Sequence, residues 1–245
     1  MPKINLTLVH KTHLIPTAVS LIFKTEDEFK FQPGQFFSML VAPKEYRSYS
    51  CFYADSKAPK FYDNDLEDLT TGKYLGFMVN TKPNGKGSHF FTDIEVGDNV
   101  VGLGANGKFL LEAGDRPKAF VASSTGLAPF VEIIKQTLTE NPAQKILVFF
   151  GVWQPTDDFA SQFFTDYPQV QVITCCDECP SELLSDNTKL GRVTTVIPEV
   201  LGDQLPNYDF YICGNQFMVE ATEELLKQKG STTIYMEKFG SSSSK

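Results

Sequence analysis

The hydrophobic grammar of the chain changes once, at the Ala113-Gly114-Asp115-Arg116-Pro117 stretch. Before it, apolar residues come in short runs with period-two alternation, broken by turn residues. After it, continuous apolar runs take turns with segments whose apolar residues recur at helical spacing. Short strands without crossover helices can close only as antiparallel neighbours, in a barrel or sandwich. Strands separated by helices pair in parallel through right-handed crossovers and build a doubly wound sheet. The expected fold is therefore an N-terminal antiparallel β-barrel over residues 1–113, followed by an α/β parallel-sheet domain over 117–240.

In the first half the expected strands are residues 4–9, 19–24, 36–41, 48–53, 74–80 and 99–103. Turns are expected at Pro33-Gly34, Asn84-Gly85, Val96-Gly97-Asp98 and Asn106-Gly107. Residues 55–72 carry a run of acids and little periodicity, so a solvated surface excursion is expected there. In the second half, strands are expected at 118–122, 145–151, 170–175, 209–213 and 232–237. Helices are expected at 127–139, 157–165, 194–201 and 217–229, the last closed by Gly230. The low-complexity tail, 241–245, reads as disordered.

Charge and composition remove several function classes. There are 22 basic and 30 acidic residues, a net charge of -8, which lacks the basic footprint of a nonspecific nucleic-acid binder. The imbalance sits in the second half: residues 1–112 hold 12 basic against 13 acidic residues, and the rest 10 against 17. No run approaches the ~20 apolar residues of a membrane span. The start of the chain lacks the apolar block of a secretory signal, so a cytoplasmic location is expected. Five irregularly spaced cysteines suit free thiols in a reducing compartment. Cys175, Cys176 and Cys179 have no fourth partner at metal-ligand spacing, so they read as strand-end packing and no metal site is assigned.

In a doubly wound sheet, ligands lie beyond the carboxyl ends of the strands where strand order reverses. With the usual winding, that point falls between the first and fourth strands of the second half. The loops placed there are Ser123-Ser124-Thr125-Gly126 and Gly214-Asn215-Gln216. The first opens onto a helix whose free N–H groups favour a pyrophosphate, although small residues at such a turn also suit tight-turn chemistry alone. The first half holds two further clusters. Alternation puts Arg47 and Tyr49 on one strand face and Ser48 and Ser50 on the other, unless a bulge intervenes. Gly85-Lys86-Gly87-Ser88 either presents N–H donors to a phosphate or forms a hairpin turn.

Taken in order along the chain, these clusters resemble the ferredoxin-NADP reductase family of flavoproteins, over about residues 6–239. The family's Arg-x-Tyr-Ser motif is matched by Arg47-Ser48-Tyr49-Ser50, and its Gly-Lys-x-Ser turn by Gly85-Lys86-Gly87-Ser88. Gly104-Ala105-Asn106-Gly107-Lys108-Phe109 matches Gly-x-x-Gly-x-Phe, and Thr125-Gly126-Leu127-Ala128-Pro129 matches Thr-Gly-Ile-Ala-Pro. Cys213-Gly214-Asn215-Gln216-Phe217-Met218 and Glu237-Lys238-Phe239 match the late motifs. Two departures stand out: Ser123-Ser124 where members commonly carry Gly-Gly, and Trp153 where an arginine often follows the second strand. No plant-type iron-sulfur cysteine set is present, so any iron-sulfur partner is expected to be a separate chain.

The resemblance implies an FAD-dependent oxidoreductase that takes hydride from NADH or NADPH and passes electrons to a carrier protein or oxygenase component. It implies that Arg47 neutralises the flavin pyrophosphate, Tyr49 stacks on the isoalloxazine and Ser50 hydrogen-bonds N5. Lys86, Gly87 and Ser88 would complete the phosphate site. Thr125 and Cys213 would flank the nicotinamide, with Gly126 and Gly214 in the same two loops. Cys213 is expected to position the ring, since no base stands at a spacing that would activate it as a nucleophile. Glu237 is the late carboxylate, available as a proton relay or as a surface acid. Asp177 and Glu178 favour the free ribose hydroxyl of NADH and Arg192 the phosphate of NADPH; the balance leans to NADH.

Overall fold

The computed structural model describes residues 2–54, 73–82 and 85–239. The excursion expected at 55–72, Asn84 of the Asn84-Gly85 turn and the tail at 241–245 lie outside them. The chain divides into two compact units. One comprises residues 1–111 with 128–136, and the other 112–127 with 137–245.

The first unit is a closed six-stranded barrel. Its strands are β1 (Lys3–Ile15), β2 (Ala18–Lys24), β3 (Phe36–Ala42), β4 (Glu45–Tyr53), β5 (Tyr74–Asn80) and β6 (Asn99–Asn106). They close in the order β1-β2-β5-β4-β3-β6, every pair antiparallel. β1 runs six residues beyond its expected end. The polar stretch His10-Lys11-Thr12-His13 hides the pattern, yet it pairs with Ile22–Val19 of β2 after a register shift between Leu8 and His10. Inside, Leu6, Leu8, Val19, Leu21, Phe37, Met39, Leu75 and Phe77 form a dry core, each fully buried side chain contributing about 1.5–3 kcal/mol. The first helix among the described residues, α1 (Lys86–Asp93), seals one margin of this core through Phe91.

The second unit holds the strands β7 (Lys118–Ser123), β8 (Ile146–Val152), β9 (Val170–Cys176), β10 (Thr188–Leu190), β11 (Asp209–Asn215) and β12 (Ile234–Phe239). All are parallel, in the order β10-β9-β8-β7-β11-β12. The connecting helices are α2 (Ala128–Glu140), of which residues 128–136 count with the first unit, α3 (Ala160–Phe163), α4 (Val193–Leu201) and α5 (Gln216–Gln228). α4 turns Val193, Val196, Ile197 and Leu201 onto the sheet, and α5 adds Val219 and Leu226, all within one core. At the amino end of the sheet, the buried Lys118 and the adjoining Arg116 both pair with Asp209, at 3.4 and 3.0 Å. This clamps the starts of β7 and β11 and leaves their carboxyl ends to the loops that follow.

Strand order reverses at β7, which separates β8 from β11. The two loops expected at the switch point are therefore neighbours. The short β10 escapes a reading by periodicity, because three residues carry no pattern.

Candidate functional site in each unit

In the barrel unit, β4 begins directly after a tight turn in which Ala42 pairs with Glu45 and Lys44 adopts φ 65°. Alternation from that fixed start puts Glu45, Arg47 and Tyr49 on one face, half-buried, while Tyr46 and Ser48 are exposed. The first turn of α1 lies against the same face. A Cβ on Gly87 would overlap the Tyr49 hydroxyl and stand 3.3 Å from Arg47 Cγ, so only glycine fits without displacing one of them. The motif read as a phosphate turn or hairpin turn is thus a helix N-terminus. Its N-cap, Gly85, offers no side chain to the first N–H groups.

Those open donors, the Arg47 guanidinium and the Lys86 ammonium form a donor set suited to a phosphate, and the glycine cradle gives it room. One group was not foreseen from sequence. The Glu45 carboxylate pairs with Lys86 and lies 3.5 Å from an Arg47 nitrogen. Lys86, as hydrogen-bond donor and as nearby charge, holds the Glu45 carboxyl below the usual carboxylate range. The signal was present: Glu45 stands two residues before Arg47 and shares its face.

Tyr49 packs edge-on against Phe91, centroids 4.9 Å apart. Burial pushes its hydroxyl up to about 12 against the opposing pull of Arg47, so it stays neutral at physiological pH. Ser50 is buried on the other face of β4, opposite Phe36 of β3. Ser88 is half-buried in the first turn of α1, its carbonyl accepting from Thr92 Oγ1 at 2.7 Å.

In the second unit, the two switch-point loops meet backbone to backbone. A Cβ on Gly126 would overlap the Cys213 carbonyl oxygen and lie 2.7 Å from Gly214 Cα. Gly214, at φ +147°, has no more room: a Cβ there would overlap Ser123 Oγ. Thr125 is buried in the short 3-10 turn that leads into α2. The departure at Ser123-Ser124 finds its explanation here. Ser123 Oγ accepts from Asn215 Nδ2 at 3.1 Å and so ties the two loops, while the Asn215 side chain accepts from Met218 N–H at 2.9 Å and caps α5. Ser124 takes up φ 49°, the left-handed conformation that a glycine would adopt more cheaply.

Cys213 is fully buried at the end of β11 and pairs in register with Glu237 of β12. Burial first, and the Glu237 charge second, raise its thiol well above the ordinary range. A neutral, enclosed thiol is not poised for nucleophilic attack. Arg192 lies elsewhere, just past β10 at the N-cap of α4, where its Nε is 3.4 Å from Asp177 Oδ2. The backbone N–H groups of Asp177 and Glu178 donate to Val152 and Trp153, at 3.2 and 2.8 Å. Trp153 is more than half exposed beside them. The carboxyl edge of the sheet therefore carries two groupings, Thr125-Gly126-Cys213-Gly214-Glu237 at the switch point and Trp153-Asp177-Arg192 farther along.

Residues 120–224 match the oxidoreductase NAD-binding domain family. Over 219 residues the chain is 26% identical to the naphthalene 1,2-dioxygenase system ferredoxin–NAD(P)(+) reductase component of Pseudomonas putida, covering 86% of this chain and 61% of that protein. It is 26% identical over 234 residues to the toluate 1,2-dioxygenase electron transfer component of the same organism, covering 92% and 63%. The chain thus spans about three fifths of the length of these relatives. Among solved structures, the ferredoxin reductase in carbazole 1,9a-dioxygenase superposes with a TM-score of 0.81 at 22% identity, over 98% of this chain and 70% of the other. A ferredoxin NADP+ reductase from Neisseria gonorrhoeae does so with 0.76 at 17% identity, over 97% and 99%. A closed barrel ahead of an oxidoreductase NAD-binding domain is thus the fold that this chain shares with these reductases.

Proposed function

We propose that the chain is an FAD-dependent oxidoreductase that accepts hydride from NADH or NADPH and delivers electrons to a separate carrier protein or oxygenase component. The observation that carries this reading is the cradle on β4: Arg47, Lys86 and the uncapped α1 N-terminus converge where only Gly87 fits. A donor set with two cations suits the two phosphates of FAD better than the one of FMN. The names of the relatives, reductase and electron transfer components of oxygenase systems, support the delivery step.

Bound flavin would supply the two-electron chemistry, and the protein supplies position, charge and exclusion of water. Arg47, Lys86 and the first N–H groups of α1 neutralise the pyrophosphate. Tyr49 offers a neutral aromatic surface and Ser50 a hydroxyl able to donate or accept. Thr125, Gly126, Cys213 and Gly214 bind the nicotinamide end of the donor without placing a charge beside it. Glu237, in register with Cys213, is a carboxylate able to hold a proton. Asp177 restrains Arg192 and favours a ribose hydroxyl, which points to NADH. Five free cysteines fit a cytoplasmic location, and no helix among the described residues is long and apolar enough to cross a membrane.

An anaerobic titration of the flavin-loaded protein with NADH and NADPH in parallel, followed by the flavin spectrum, tests the reading. Bleaching of the flavin by a stoichiometric donor is expected, at lower concentrations of NADH. A protein that cannot be loaded with FAD, or a flavin neither donor reduces, overturns it.

A further inference from the structure

Among the described residues on the Arg47 face of β4, Glu45 carries a charge that opposes the role given to its neighbours. The turn before β4 fixes it, alternation aims it at the Arg47 face, and its carboxylate pairs with both cations of the cradle. An anion bound between Arg47 and Lys86 must share those cations with the carboxylate or displace it. We propose that Glu45 is an internal competitor for the phosphate site: it occupies Lys86 and Arg47 when no cofactor is bound and thereby sets how tightly a phosphate-bearing flavin is held.

The inference rests on the flavin reading above, and its electrostatics can be stated simply. Glu45 and the two cations are each between one third and two thirds exposed, so water screens the pairs and each is weak by itself. Weak pairing suits a group that must yield to a ligand. A phosphate carries more charge and more acceptor oxygens than a carboxylate, and it also reaches the α1 N–H donors. It therefore wins the cations, but by a smaller margin than if they stood unpaired. Replacing Glu45 with a neutral residue removes the competitor and leaves every donor in place.

The test compares wild type with Glu45→Gln and Glu45→Ala, titrating each flavin-free protein with FAD, FMN and riboflavin by flavin fluorescence. Both variants are expected to bind FAD about three- to tenfold more tightly, to gain similarly for FMN, and to leave riboflavin, which has no phosphate, unchanged. In a Lys86→Gln background the gain from Glu45→Gln should shrink, because the competition is for that ammonium. Unchanged or weaker FAD binding in both variants overturns the inference, as does an equal gain for riboflavin. If the wild type binds no flavin at all, the reading of the site as a flavin cradle fails, and this inference with it. A wild type that binds FAD with no gain in the variants sinks only the role of Glu45.

Discussion

The barrel cradle and the switch-point loops are built by opposite means. The cradle is built of charge: two cations, a helix N-terminus and a carboxylate, partly in water, with one tight contact at Gly87 against the movable end of a tyrosine. The switch point is built of shape: Gly126 and Gly214 press on backbone and on Ser123, and the buried thiol of Cys213 is neutral. Charges in water are screened and can rearrange, whereas backbone in contact with backbone cannot. Errors in the cradle should therefore be graded and errors at the switch point steep.

Gly126→Val is the severest test of that contrast. Its Cβ meets the backbone of Cys213 and Gly214, so stopped-flow reduction by NADH is expected to slow about 100-fold, the scale of a misplaced reactant, with FAD affinity unchanged. Equal losses of FAD affinity would erase the distinction between the units. Ser50→Ala should retain FAD but slow flavin reduction at least about tenfold, about 1.4 kcal/mol of barrier; unaltered rates would remove Ser50 from the chemistry. Gly87→Ala has only a tyrosine hydroxyl and part of an arginine stem to push aside. FAD binding should weaken about fivefold, about 1 kcal/mol, and a loss as steep as that of Gly126→Val would make the cradle a shape-built site as well. Asp177→Asn frees Arg192, and the ratio of NADPH to NADH efficiency should rise about threefold, read from initial rates with each donor.

The smallest effect concerns pH. The Glu45 carboxyl titrates lower in the folded chain than the ordinary 4.5 of a free glutamate, so its pairing stabilises the fold above that value and the contribution disappears as pH falls through the folded value. In thermal melts of the flavin-free protein, the Tm difference between wild type and Glu45→Gln should shrink below about pH 4.5. A difference that persists there would mean that the residue acts through packing.

How far the sequence could be read follows the same divide. Short runs bounded by turn residues located the six barrel strands, and continuous apolar runs located the five longer parallel strands. This reading fails at His10–His13, where polar residues pair with β2 without an apolar pattern, and at β10, too short to show one. It also fails at α1, because Gly87 and Ser88 look like turn residues until Phe91 is seen to bury against the core. Arg47, Tyr49 and Lys86 could be named because motifs carry them. The pairing of Glu45 with Lys86 and the link from Ser123 to Asn215 could not, since they join residues 41 and 92 apart in the chain.

Ring closure of the barrel has a bearing on self-association. Among the described residues the six barrel strands join end around, so none of them is an edge strand open along its whole length to strand addition. The open sheet has two borders, β10 and β12. The first is only three residues long, and the second bears Lys238, tethered to Glu220. Of the two described borders β12 is the longer, and its lysine is the residue there that discourages strand addition.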